Sequence, residues 1–226
     1  MNIDWSPLLR LRQHRWATSL ASSFLGPDRL RRLRSLPDNI VVHDLRSGIP
    51  YRDETVDAVY HSHMLEHLDR EDAEAFLREV HRVLKAGGIH RIVVPDMESL
   101  AREYLGSLEE CRRAVDPELN RSHDTKLGAL IEQSVRRTAA GTSGQSAPRR
   151  LLETAVFGDA RRRGETHQWM YDEITLRQKL ADAGYRNPRR VTHRESEIPE
   201  WSAIGLDTLG SGEPYKPGSL YIEATK

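Results

Sequence analysis

The sequence predicts an α/β fold built on a mostly parallel sheet, and three observations carry that expectation. Apolar runs "NIVVH", "VDAVYHS" and "IHRIVVP" recur between Asn39 and Pro95, each long enough for one strand. Between the second and third lies the clearest amphipathic helix of the chain, with Ala73, Phe76, Leu77, Val80 and Leu84 on one stripe. Strand–helix–strand with apolar strands reads as a parallel crossover unit, right-handed by the sterics of twisted strands.

The elements follow in order. Asn39–Leu45 is a short strand ending at Asp44, and "GIPYRDE" is the polar loop after it. Val56–Ser62 is apolar enough to be buried on both faces. Asp69 is placed to cap the helix and Asp72 takes its third position. Lys85 suits the negative end of the helix dipole, and Gly87 or Gly88 suits its stop. Ile89–Pro95 is the third strand. From Glu98 to about Gly164 the pattern turns helical and charged, with a break at Ala139–Pro148. We read residues 98–166 as a helical insertion forming a lid or substrate wall. Tyr171–Tyr185 is again a helix, with Ile174, Leu176, Leu180 and Ala183 apolar and Gly184 its stop. "RRVTH" and "SLYIEATK" read as two closing strands, antiparallel to one another.

Composition narrows the classes. A chain of 226 residues suits one domain with an elaboration, residues 1–226 here. Lys+Arg and Asp+Glu are both 34, so overall charge recommends no polyanionic partner. Residues 1–36 are locally basic, with seven Arg against two Asp, but Trp5, Trp16 and Phe24 make a thin stacking surface for bases. Nucleic-acid binding therefore ranks third among the functions weighed. The same Arg- and Ser-rich segment resembles a targeting peptide in composition, and an amphipathic helical pair with solvated arginines is preferred. No run approaches the roughly 20 apolar residues of a membrane span. Cys111 is the single cysteine, which excludes an internal disulfide framework and a cysteine-based zinc cluster. A cytoplasmic location is the default.

Taken together, "VDAVYHSHMLEHL", "FLREVHRVLKAGGIHRIVVPD", "LRQKLADAGY" and "SLYIEATK" resemble the class I S-adenosylmethionine-dependent methyltransferases, of the small bacterial methyltransferase-domain type. The resemblance implies a Rossmann-like sheet of strand order 3-2-1-4-5-7-6 and methyl transfer from S-adenosylmethionine to a small-molecule or sugar-type acceptor. "MNIDW" looks like the family's second strand, with Asp4 the acid that bonds the cofactor's ribose hydroxyls. The glycine-rich E/D-x-G-x-G turn of the first strand has no counterpart in this sequence, so the fold is expected to be incomplete at its N-terminal side. The native protein beginning further upstream, another chain supplying the pairing, and a rearranged N-terminal segment are the three ways to account for this. Weak or no cofactor binding by the chain as given, and a homo-oligomer such as a dimer, are expected in consequence. The alternative function is a non-catalytic methyltransferase-like protein acting as an oligomerisation or partner-binding module.

The resemblance also assigns roles. Asp44 is the acid for the adenine amine, with the Leu45 backbone beside it. His61 and Ser62 line the methionine end of the cofactor, partly through backbone groups, and His63 faces the acceptor as a candidate general base. Read without the family, His63 fits equally a polar loop capping the next helix. His167 and Trp169 are candidate acceptor contacts, against the alternative of Trp169 and Met170 packing into the core. Glu66 and His67 read as structural, tying the loop to the helix. The run "HSHMLEH" has ligand-type residues, but it crosses from strand to loop and lacks the usual one-element spacing, so no metal site is expected.

Overall fold

The computed structural model describes residues 2–4, 39–114, 116–134 and 166–226. Numbered within those residues, the strands are β1 (Asn2–Asp4), β2 (Ile40–Val42), β3 (Val56–Ser62), β4 (Leu84–Pro95), β5 (Arg186–Val191) and β6 (Ser219–Thr225). The helices are α1 (Arg70–Val83), α2 (Met97–Arg113), α3 (Pro117–Ser134), α4 (Glu173–Asp182) and the single turn α5 (Trp201–Ile204). Short 3-10 turns at Leu45–Ser47 and Leu65–His67 follow β2 and β3.

The strands form two sheets, β1-β2 and β3-β4-β6-β5. β1 and β2 run parallel with Asp4 opposite Val42, and β3 and β4 run parallel with Ser62 opposite Val93. β6 is antiparallel to both β4 and β5, as expected for the closing strands. Both groups reproduce the order implied for either side of the family's first strand. Among the described residues β3 is hydrogen-bonded to β4 alone. Consistently, Val56 and Val59 are half-buried, where burial on both faces is expected from their sequence. Most of the basic N-terminal segment, and the break at Ala139–Pro148, lie outside the described residues.

α1 forms because its stripe has somewhere to go. Ala73, Phe76, Leu77, Val80 and Val83 are buried against Ile92, Val94, Leu220 and Ile222 of the sheet and Leu176, Leu180 and Tyr185 of the α4 region. Burying each of the larger side chains stabilises by about 1.5–3 kcal/mol, whereas a good N-cap contributes about 1 kcal/mol. Packing therefore dominates, and Asp69 occupies the cap position without a side-chain cap bond.

Two boundaries differ from expectation. α1 stops at Val83, because Leu84 already pairs with Val56 and belongs to β4. Gly87 has φ +76, and a Cβ on Gly88 would stand 2.9 Å from the Lys85 carbonyl oxygen and 3.1 Å from that of Asp57. The C-terminus clasps this turn: the Gly87 N–H donates to the Lys226 carbonyl, and the Lys226 N–H to that of Gly88. The second difference is Ile174, which is 73% exposed. A reciprocal capping box between Asp172 and Thr175 starts α4, and only Leu176 and Leu180, one turn apart, face the core.

One feature escapes hydropathy altogether. Arg91 sits fully buried in β4 beside Trp201 and Tyr221. It donates to Asp207 at 2.8 Å, to Glu223 at 2.7 Å, and to the carbonyls of Glu195 and Thr192. Tyr60 donates to the other Asp207 oxygen at 2.6 Å. Charge pairing, with satisfied donors, makes this burial tolerable.

Candidate functional site

The carboxyl ends of the parallel strands are where α/β sheets bind ligands. At the ends of β1 and β2, Asp4 and Asp44 stand close together, since the His43 N–H donates to the Asp4 carbonyl at 3.1 Å. Asp4 is exposed. Asp44 caps the 3-10 turn through the Arg46 N–H, and its carboxylate takes a two-pronged bond from the Arg46 guanidinium at 2.9 and 2.7 Å. That hydrogen-bonded guanidinium is the main cause holding the Asp44 carboxyl below its usual range. Leu45 packs on the core, and its carbonyl accepts from the Gly48 N–H.

The end of β3 divides its residues between core and edge. His61 points inward, edge-on to Phe76 and 5.1 Å from the His90 ring. Burial pulls its pKa down to about 3. Its side chain is therefore a core ring, while its backbone stays at the strand end. His90 Nδ1 lies 2.9 Å from the Tyr185 hydroxyl, which donates its own hydrogen to the Leu77 carbonyl at 3.0 Å. That carbonyl can only accept, so Tyr185 accepts from His90 Nδ1–H.

Ser62 ends the strand, half-buried, and His63 then turns the chain with φ +51, a left-handed conformation costly for a side chain of this size. The turn is held by the His63 N–H donating to the Val93 carbonyl at 2.8 Å. Its ring reaches Ser219 Oγ at 2.9 Å through Nε2 and Glu66 Oε1 at 3.4 Å through Nδ1. Burial above all, with nearby Lys216, His167 and His67, lowers the His63 pKa to about 3.

At the end of β4, Asp96 is committed to structure. It caps α2 through the Glu98 and Ser99 N–H groups and accepts from Arg190 at 2.8 Å. His167 and Trp169 come to the β3 end from the far side of the chain. The Gln168 and Trp169 N–H groups donate to the Glu66 carbonyl at 2.7 and 3.3 Å. His167 is buried, 4.8 Å from the His67 ring, with Nδ1 2.7 Å from the Gln133 carbonyl oxygen. Trp169 is 39% exposed, with the Arg70 guanidinium 4.4 Å over its ring. It stands at the surface instead of packing into the core.

The structure thus gathers His63, Glu66, His67 and His167 in one place, and Asp4 with Asp44 in another. Sequence reasoning missed Ser219 and Lys216. Ser219 opens β6 and Lys216 lies in the loop before it, and no local pattern there marks them.

Residues 16–92 match the model of a family described as the methyltransferase domain. The strand orders β1-β2 and β3-β4-β6-β5 agree with the order that the sequence resemblance implies. Among solved structures, the chain is similar to an S-adenosylmethionine-dependent methyltransferase from Archaeoglobus fulgidus, at 16% identity over 92% of this chain and 80% of that one, with a TM-score of 0.41. It is likewise similar to one from Mesorhizobium loti, at 17% identity over 89% and 78%, with a TM-score of 0.41. Likenesses this distant carry no argument about substrates. No curated protein matches the sequence.

Proposed function

We propose that this chain transfers a methyl group from S-adenosylmethionine to an oxygen, nitrogen or carbon atom of a small-molecule or sugar-type acceptor. The observation that supports this most is the parallel pairing of β1 with β2, which brings Asp4 and Asp44 together at one carboxyl edge. Carboxylates accept hydrogen bonds, and a nucleoside offers donors in its ribose hydroxyls and adenine amine. On that chemistry the residues fit the cofactor: Asp4 would hold the ribose, and Asp44 with the Leu45 backbone the adenine. Ser62 and the backbone of His61 would border its methionine end.

When bound, the cofactor supplies a methyl group already activated on a sulfonium. The protein's part is to align the acceptor with it and to exclude water. His63 is neutral across physiological pH and can accept a hydrogen bond from a hydroxyl acceptor. With its pKa near 3 it orients that proton and does not readily carry it away. His167 and Trp169 are the proposed acceptor contacts. The reading places the enzyme in the cytoplasm as a homo-oligomer.

Calorimetric titration with S-adenosylmethionine and its demethylated product tests this. Binding is expected to be saturable but weak, because the sequence holds no E/D-x-G-x-G turn. Asp44→Ala should weaken it further by about 1.5–3 kcal/mol, the margin of a lost charge-assisted bond. No detectable binding would overturn the catalytic reading. It would leave a non-catalytic partner-binding module, a reading favoured by β3 being bonded on one side only among the described residues.

A further inference from the structure

Building on the methyl-transfer reading, we propose that Lys216 determines acceptor specificity and that the acceptor it selects is a hydroxy acid, its carboxylate held by the Lys216 ammonium. Lys216 lies half-buried on the turn that leads into β6. Its charge acts on His63, the group proposed to meet the acceptor's hydroxyl. Hydrogen bonds join the two residues as well. His63 Nε2 stands 2.9 Å from Ser219 Oγ, and that hydroxyl donates to the Lys216 carbonyl at 2.9 Å.

The backbone of this turn is fixed from several directions. The Tyr215 N–H donates to the Asp207 carbonyl at 2.7 Å, and the Asp96 N–H to the Gly218 carbonyl at 3.0 Å. The Tyr221 hydroxyl reaches the Lys216 carbonyl at 3.3 Å, and Thr208 pairs with Pro214 across the loop. Asp207 is in turn bound to the buried Arg91 at 2.8 Å and to Tyr60 at 2.6 Å. A buried ionic cluster is a weak source of stability, and its best-attested use is to specify one arrangement. Here the arrangement it specifies is the placement of the Lys216 turn beside His63. A group ordered before its ligand arrives loses less entropy on binding.

The carbonyl of Lys216 is occupied and its ammonium is not. Among the described residues that ammonium has neither a hydrogen bond nor an ion pair. Two acids are close enough to act on it, yet neither pairs with it: Asp207 gives its oxygens to Tyr60 and Arg91, and Glu66 is fully buried. Burial outweighs the pull of both and holds the Lys216 pKa below the usual lysine range. A lysine with a covered stem ordinarily extends its head into water. A head partly stripped of water and lacking a partner gains most from an anion that a ligand brings. One ammonium balances one carboxylate, whereas a phosphate ester brings about 1.5–2 negative charges. A hydroxy acid therefore offers a group to each residue, its carboxylate to Lys216 and its hydroxyl to His63.

The test uses the full chain and needs no cofactor. Calorimetric titrations at one ionic strength compare two hydroxy acids, glucuronate and lactate, with glucose 6-phosphate and with uncharged glucose. At least one hydroxy acid should bind about tenfold or more tightly than glucose and than glucose 6-phosphate. Lys216→Met should weaken that binding by about ten- to a hundredfold and leave the melting midpoint unlowered, because the ammonium makes no bond inside the protein. Lys216→Arg, which keeps the charge, should retain most of the affinity. Binding of neither hydroxy acid, equal binding of glucose, preference for the phosphate, or undiminished binding by Lys216→Met would each overturn the proposal. A chain that binds a hydroxy acid through Lys216 but takes up no S-adenosylmethionine keeps the recognition site and loses the methyl-transfer reading, so the two failures are distinct.

Discussion

Arg91 and His61 show how single residues are decided by surroundings that lie far away in sequence. Arg91 spends its donors on Asp207, Glu223 and two carbonyls while fully buried. Replacing it by methionine fills the volume but leaves two buried carboxylates without their cation, so Arg91→Met should cost about 3–5 kcal/mol in denaturant unfolding. A loss below about 1 kcal/mol would show that water reaches the cluster. His61 carries the opposite lesson. Its folded pKa, near 3, lies below the unfolded value near 6.5, so between those limits the unfolded chain binds the extra proton. Stability from this group is complete above pH 6.5 and falls as the pH drops toward 3, by about 1.4 kcal/mol per unit for one proton. His61→Phe, packed between Phe76 and His90, should flatten that part of a thermal-melting pH series; an unchanged slope would clear His61 of it.

At the scale of elements, α1 is anchored at its C-terminal end to the loop that follows β2. Arg82 bonds Glu79, Asp53 and the carbonyls of Ile49 and Tyr51, while Glu79 also accepts from the Ile49 N–H. The Arg82 bond first, then the Ile49 N–H, pull the Glu79 pKa from 4.5 to about 2. A depressed carboxylate stabilises above its unfolded pKa, so this anchor is present at neutral pH and lost as the pH falls from 4.5 to 2. Glu79→Gln should remove that acid-sensitive component in a melting series, with a modest effect because the pair is partly exposed. The turn between α1 and the body of β4 is tighter still. Gly88→Ala would press a methyl on the carbonyls of Lys85 and Asp57, and a melting midpoint lowered by several degrees is expected. These elements were legible in the sequence because a five-residue stripe at helical spacing has one physical meaning. The boundary at Val83 was not, because Leu84 continues the stripe yet is claimed by its partner strand, Val56.

For the whole molecule, the two half-sheets raise the question of what meets β3. Among the described residues its outer backbone groups have no strand beside them. Paired edges are the norm in buried sheets, and open ones recruit strands. Light scattering during size exclusion should therefore show a species larger than one chain; a monomer at every concentration, with cooperative unfolding, would mean that the edge is covered within the chain.

By itself the sequence determined the α/β class, the order of strands and helices from Asn39 onward, and the acids at the ends of β1 and β2. Apolar periodicity and strand-end residues are local signals, written within a dozen residues of each other. Only the tertiary structure decided which polar residues work together. His61, singled out with His63 in one motif, turned into the core; two apart on a strand they would share a face, and the left-handed turn at His63 is what separates them. His167 joined Glu66 and His67 from a hundred residues along the chain, and Asp207 and Glu223 joined Arg91 from further still. No local pattern records such meetings, because they are set by how the sheet and helices pack.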